Sequence, residues 1–199
     1  MPGEDRMRHA ETAADTRLTY DDFVLFPDDG KRHEIIDGVH YVTPSPRLRH
    51  QDLVGRLYFA VAEYLVEHPS AGRVFLAPLD VVLSNHDVVE PDLLFIARDQ
   101  TGIMTEKNIQ GAPALVVEVM SKGTRKRDTQ IKRRLFEQVG VREYWLVDPE
   151  RDTVQVLRPS ADGRLARVEE LTAEDGGTLT TPLLPGCAID VRTLFRPTL

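Results

Sequence analysis

Two carboxylates stand where the surrounding sequence asks for apolar side chains. In LVVEVM, Glu118 follows Leu115, Val116 and Val117 and precedes Val119 and Met120. In VVEPDLLFIA, Asp92 comes directly after Pro91 and opens an apolar run. Valine-rich stretches of this kind read as buried strands, and an unpaired carboxylate buried there must either bear a large desolvation cost or take up a proton. The two acids lie 26 residues apart. If their strands are neighbours, the carboxylates converge, and both stay ionised only when a cation joins them. Two oxygen ligands with positions left for water and substrate suit Mg²⁺. An ion held in that way lowers the pKa of a bound water and stabilises charge on a phosphate.

Glu34, in KRHEIIDG, is a third strand acid able to approach the same place, and Asp80, in APLDVVLS, is a fourth. For either of these alone, an edge-strand side chain reaching solvent is an equally good reading; the pairing of Asp92 with Glu118 favours a site. Positive charge follows at once. Residues 122 to 134 hold seven Lys or Arg against one Asp, a local surplus of six. Such a run is commonly a solvated helix face, and it also suits a phosphate-facing surface.

The elements that must position these groups can be read from periodicity. LTYDDF opens a short helix, with Thr19 as cap, Asp22 at the capping-box position and Leu18 stapling onto Phe23. RHEIIDGVHYVTP reads as a hairpin turning at Asp37-Gly38. Residues 48 to 67 form an amphipathic helix with Leu53, Leu57, Val61 and Leu65 in one stripe, closed by His68-Pro69. Strands are expected over Arg73–Ala77, Leu79–Ser84 and Glu90–Ala97, with Leu94 and Ile96 sharing the face of Asp92. The unbroken apolar run of GAPALVVEVMS predicts a central strand. Thr124–Val139 is expected to be a helix with Ile131, Leu135 and Val139 inward and Gly140 at its C-terminal cap. EYWLVDP and TVQVLRP pair around a tight turn, with Tyr144 and Trp145 as core residues. A further strand near 164–171 and a short helix near 190–195 finish the chain. The fold class is α/β, in the sense of an α+β mixed sheet. Residues 1–17 are expected to be a mobile tail and residues 18–199 a single domain.

Composition narrows the function. With 41% hydrophobic and 29% charged residues, the chain has an ordinary globular balance. A single cysteine, Cys187, excludes an internal disulfide and cysteine-rich zinc sites, and the six scattered histidines form no HxxxH pair. No apolar run approaches the ~18 residues that span a bilayer, and the N-terminus lacks an apolar signal core, so a cytoplasmic protein is expected. A net charge of −7 argues against a general basic coat for nucleic acid and leaves local basic surfaces open.

Pro91-Asp92, followed by a strand carrying Glu118, resembles the PD-(D/E)XK nuclease signature. DDGKRHEIIDG, TPSPRLRHQ, VVEPDLLF, GAPALVVEVMS, TRKRD…K and GVREYWLVDP, in this order, resemble the Uma-two family of restriction-endonuclease-like proteins, widespread in bacteria, over roughly residues 19 to 195. The resemblance implies an αβββαβ core, here with an added N-terminal helix and hairpin and C-terminal strands. It also implies hydrolysis of DNA with Mg²⁺ or Mn²⁺, and a homodimer. Asp92 and Glu118 match the metal ligands and Glu34 the acidic position before them. The signature's lysine, two after the glutamate, is replaced by Met120. Lys132 matches the family's Asp…Lys spacing and lies four after Asp128 on a helix face bordering Ile131 and Leu135, so it is favoured over Lys122 as the substitute. Asp128 and Gln130 are expected in solvent. His50, Lys122 and Arg125 are candidate contacts to DNA phosphate. Two alternatives remain beside the nuclease: a catalytically inactive nuclease-fold binding module, and a purely structural salt bridge between Glu118 and an arginine of the 125–134 helix.

Overall fold

The computed structural model describes residues 17–197. The expected N-terminal tail and the reading of residues 1–16 as lacking a signal core lie outside the described residues, Arg17 excepted. Thr19 caps α1 (Tyr20–Phe23) through a reciprocal pair: Asp22 donates its backbone N–H to Thr19 Oγ1, and Asp22 Oδ2 accepts from Thr19 N at 2.8 Å. Asp37 and Gly38, both at positive φ (50° and 71°), make the tight turn between β1 (Arg32–Ile36) and β2 (Val39–Thr43). Helix α2 (Leu48–Glu67) buries Leu53, Val54, Leu57 and Val61.

β3 (Gly72–Leu76), β4 (Val81–Ser84), β5 (Asp87–Val89) and β6 (Leu93–Ala97) follow. The strand expected over Glu90–Ala97 begins only at Leu93. Pro91 has no N–H to give a ladder, so Glu90-Pro91-Asp92 becomes the crossing by which the chain leaves one sheet for another. β4 and β5 pair as an antiparallel hairpin, of which only β4 was expected. A 3₁₀ segment over Arg98–Ile103 leads to the two-residue β7 (Ile109–Gln110) and then to β8 (Leu115–Val119). The next helix is wound in two ways. Arg127–Lys132 is π-helical, and α3 (Arg133–Val139) continues as α-helix to Gly140, whose φ of 80° is the left-handed cap. β9 (Glu143–Asp148), β10 (Thr153–Pro159), β11 (Leu165–Thr172), the short pair β12 (Thr178–Thr180) and β13 (Ala188–Asp190), and α4 (Val191–Phe195) complete the chain.

Two sheets carry the architecture. One has strand order β2-β1-β5-β4-β7 and the other β11-β10-β9-β8-β6-β3. Within the second sheet and its helices, chain order runs α2, β3, β6, β8, the π-to-α helix, β9, which is the αβββαβ succession. β8 is central, antiparallel to β6 and parallel to β9. Its apolar run is unbroken because both faces are covered. Leu115, Val117 and Val119 join Trp145 and Val147 under Leu53, Leu57 and Val61 of α2. Val116 and Met120 join Tyr144 and Leu146 beneath Leu135 and Phe136, and Ile36, Val81 and Val89 of the five-stranded sheet pack into the same cluster. Glu118 alternates with Val117 and Val119, so it points to this second side.

Candidate active site

The β6–β8 register pairs Leu93 with Val117 and Leu94 with Val116. One step further along the ladder sets Asp92 across from Glu118. Pro91 has already broken the strand there, so the Asp92 carboxylate is free to fold back on the sheet. Its Oδ2 accepts from Val119 N at 2.8 Å and lies 3.1 Å from His50 Nε2, at the start of α2. Its Oδ1 accepts from Arg32 Nη1 at 2.6 Å. Arg32 comes from the other sheet, two residues before Glu34 and on the same face of β1. Burial pushes Asp92 up, but the hydrogen bond from His50 and the positive charge of Arg32 reverse that and hold it near 2. Arg32 is raised in turn: its own burial opposes the charge, and Asp92, Glu118 and Glu34 outweigh it.

Glu118 and Glu34 are tied by one lysine. Lys132 Nζ lies 2.6 Å from Glu118 Oε1 and 2.6 Å from Glu34 Oε1, with its side chain only 2% exposed. Glu34 also accepts from Glu90 N at 3.0 Å, and Arg127 Nη1 stands 3.4 Å from its Oε2. The π-helical winding explains how one short helix delivers both cations. In an α-helix, residues five apart sit about 140° apart around the axis. Bonding of the i→i+5 type brings such residues nearly above one another, so Arg127 and Lys132 reach the same carboxylate. Arg127 is further fixed by donating to Thr43 Oγ1 at 2.6 Å. Burial and the nearby acids set the charges. Burial pushes Glu34 up, and Lys132 and Arg127 bring it below its ordinary value. Burial raises Glu118, Lys132 opposes it, and Asp92, Asp128 and Glu34 add to it, with the net result about 8. Lys132 prevails at Glu34, where Arg127 adds to it, and not at Glu118, where Asp92, Asp128 and Glu34 oppose it. Its own burial disfavours the charged ammonium, yet Glu118, Glu34 and Asp128 keep Lys132 protonated well above the ordinary range.

Five buried acids (Glu34, Glu90, Asp92, Glu118, Asp128) therefore face three Arg and Lys cations (Arg32, Arg127, Lys132). Glu34 Oε2 and Asp128 Oδ1 are buried without a hydrogen bond. Among the described residues no group of three His, Cys, Asp or Glu is arranged to hold a metal ion. Mg²⁺ commonly takes one or two carboxylates and completes its shell with water and phosphate oxygens, so Asp92 and Glu118 fit that donor set, and the raised pKa of Glu118 among neighbouring acids is the condition a divalent cation relieves. A cleft of about 770 Å³ opens onto this place. Arg32, His50, Glu90 and Asp92 line it, together with Lys31 and Lys107.

Residues 20–192 match the Uma2 family, described as putative restriction endonucleases. The chain belongs to the Uma2 family. Among solved structures it is similar to a putative nuclease of DUF820 from Anabaena variabilis, at 20% identity and a TM-score of 0.74 over 89% of this chain and 97% of that one. That likeness fixes the shared nuclease-type fold. No curated protein matches the chain.

In this Uma2 chain Glu34, Asp92, Glu118 and Lys132 all come together, and His50 joins them through Asp92. Lys122 and Arg125 do not. The Lys122 side chain is 79% exposed with Nζ 3.5 Å from Glu150, and Arg125 is held bidentate on Asp148 at 2.6 and 3.0 Å. Met120 is buried in the apolar cluster. The salt bridge of Glu118 is to Lys132 and not to an arginine of the helix. Gln130 is exposed as expected, but Asp128 is buried, because it shares the inward face that carries Lys132. Tyr144 and Trp145 are core residues, and the Tyr144 hydroxyl donates to Asp128 O at 3.1 Å. Asp80 is half-buried on the cleft wall. Arg32, Arg127 and Glu90 escaped the reading of the sequence. Arg32 carried one signal, its shared strand face with Glu34. Glu90 carried another, its place beside Pro91; burial, with Asp80 and Glu34, raises it to about 7.

Proposed function

We propose that the protein is an endonuclease that hydrolyses DNA phosphodiester bonds with Mg²⁺ or Mn²⁺. The observation that carries this reading is the gathering of Glu34, Glu118 and Lys132 behind Asp92, which lines an open cleft. Asp92 and Glu118 would hold the cation, which when bound supplies a Lewis acid for the phosphate and a more acidic water. Lys132 is not the general base, since an ammonium held protonated has no lone pair to accept a proton. Its part is to orient the attacking water and to stabilise charge at the phosphate. Glu34 positions Lys132, and Arg127 positions Glu34. With a chain charge of −7, attraction of DNA must be local. Lys31, Arg32 and Lys107 along the cleft supply it, with the exposed basic side chains of the 122–134 segment. The proposal extends to a homodimer, for which light scattering should return twice the chain mass.

Cleavage of plasmid and branched DNA with Mg²⁺ or Mn²⁺ tests this reading. The wild type should cut and Asp92→Ala should not; no cutting by the wild type, or equal cutting by the variant, refutes it. A second reading, a nuclease-fold binding module without catalysis, is favoured by Met120 in the lysine position and by the protein cations already beside every carboxylate. Absence of Mn²⁺ binding in calorimetry, together with retained affinity for DNA or protein, would select it.

A further inference from the structure

The three cations of the site are not held alike. Lys132 is enclosed between two carboxylates at 2.6 Å each. Arg127 bonds Thr43 and stands against Glu34, with only a tenth of its side chain exposed. Arg32 differs in three ways. Its side chain is 20% exposed. It lines the cleft, whereas Arg127 and Lys132 do not. Beyond Asp92, the side-chain hydrogen bonding of Arg32 among the described residues is a single 3.3 Å contact to Glu90 O. Swinging outward therefore gives up, besides Asp92, this one long contact to the carbonyl of the buried Glu90.

Asp92 shows which oxygen it would vacate. Oδ2 is taken up by Val119 N and His50 on the inner side. Oδ1 is the oxygen left for a ligand from the cleft, and Arg32 Nη1 occupies it at 2.6 Å. We propose that Arg32 is a built-in stand-in for the divalent cation: it rests on Asp92 Oδ1 until the cation takes that oxygen, and is then released into the cleft to bind a phosphate oxygen of the substrate. A guanidinium neutralises the carboxylate in the empty site, and its planar donor fork suits a phosphate once freed. The proposal rests on the reading of Asp92 as a metal ligand given above.

Calorimetric titration of Mn²⁺ into the full chain tests it, with the wild type, Arg32→Gln, Arg32→Lys and Asp92→Asn compared. Arg32→Gln should bind Mn²⁺ at least tenfold more tightly than the wild type, Arg32→Lys should fall between, and Asp92→Asn should bind at least tenfold more weakly. Wild-type binding that Arg32→Gln leaves unchanged or weakens overturns the stand-in while sparing the metal site. No Mn²⁺ binding in the wild type or in Arg32→Gln overturns both. Should Arg32→Gln fail to fold, the wild type carries the test: the guanidinium NMR signal of Arg32, assigned through Arg32→Lys, should move as Mg²⁺ saturates, and a stationary signal refutes release. With Mn²⁺ present, Arg32→Gln should bind a duplex with non-hydrolysable linkages at least fivefold more weakly; equal binding refutes the phosphate contact.

Discussion

Replacing Lys132 by Met keeps nearly the same volume and removes the one charge shared by Glu34 and Glu118. Both carboxylates are buried, and both lie 2.6 Å from the lysine nitrogen. Breaking a buried ion pair from one side typically costs about 3–5 kcal/mol, since the abandoned charge stays behind. Here the structure sets a tighter ceiling, because a stranded carboxylate can take a proton instead. Starting from an ordinary glutamate pKa of about 4.3, holding one neutral at pH 7 costs about 3.7 kcal/mol, and at pH 5 about 1 kcal/mol. Glu118 is already pushed up to about 8 in the wild type, so it adds little. The new cost falls on Glu34, which the lysine and Arg127 hold low.

Lys132→Met should therefore lose about 3–4 kcal/mol at pH 7, less whatever Arg127 still supplies to Glu34, and about 1 kcal/mol at pH 5, a slope of about 1.4 kcal/mol per pH unit. The sign follows from a Glu34 pKa raised above its unfolded value in the variant and held below it in the wild type: the deficit grows as pH rises and vanishes only below the depressed wild-type value. Urea unfolding of both proteins at pH 5, 6, 7 and 8 in EDTA measures it, and at pH 7 the melting temperature should drop by about 6–16 °C. A deficit that is the same at every pH would refute the reasoning, since it would mean that lost packing and not stranded charge causes it.

Three other outcomes are expected. In EDTA the wild type should be most stable between pH 4 and 5: Glu118, raised to about 8, makes stability fall as pH climbs from 4.5 to 8, and Asp92, lowered to about 2, makes it fall as pH drops from 3.8 to 2, so denaturation midpoints that rise from pH 5 to 8 would contradict the charge surplus. Tyr144→Phe deletes the donor to Asp128 O inside the core and should cost about 1–2 kcal/mol in urea unfolding without changing secondary structure. Gly140→Ala should cost about 1–2 kcal/mol, from backbone alone, because the residue sits at φ 80° while a Cβ there would meet nothing within 4 Å.

What the sequence made legible is what local pattern determines. Thr19 and Asp22, the Asp37-Gly38 turn, the Leu53–Leu57–Val61 stripe and the valine run around Glu118 each announce their element within a few residues. The odd carboxylates announce the site, because an acid in an apolar run needs a partner. Legibility stops where geometry depends on chain far away or on an unusual winding. Arg32 reaches Asp92 across 60 residues and from a different sheet. Arg127 lies on the wrong side of an α-helix to meet Lys132, and only the π-helical turn brings it round. Asp128 was placed in solvent by the general habit of aspartates, although its four-residue spacing from Lys132 already put it on the buried face. The strand over Glu90–Ala97 ignored the missing N–H of Pro91.

The place of Lys132 on the helix has a structural consequence. A lysine at position 120 would have to leave the end of β8, where Met120 packs with Leu135 and Phe136. Carried on the helix instead, the ammonium lies between Glu118 of the six-stranded sheet and Glu34 of the five-stranded sheet. Arg127 repeats the connection, from the same helix to Glu34 on β1 and Thr43 on β2. Arg32 makes a third, from β1 to Asp92 at the head of β6. Every cation of the site therefore joins two elements that are far apart in sequence, and the proposed catalytic charges add to the apolar packing of Ile36, Val81 and Val89 in docking one sheet on the other. The site cannot form before the sheets meet, and the sheets cannot meet with these carboxylates buried unless the cations arrive with them. Loss of Lys132 should then weaken fold and catalysis together, and so should loss of Asp92, which strands Arg32 and leaves Val119 N without its acceptor.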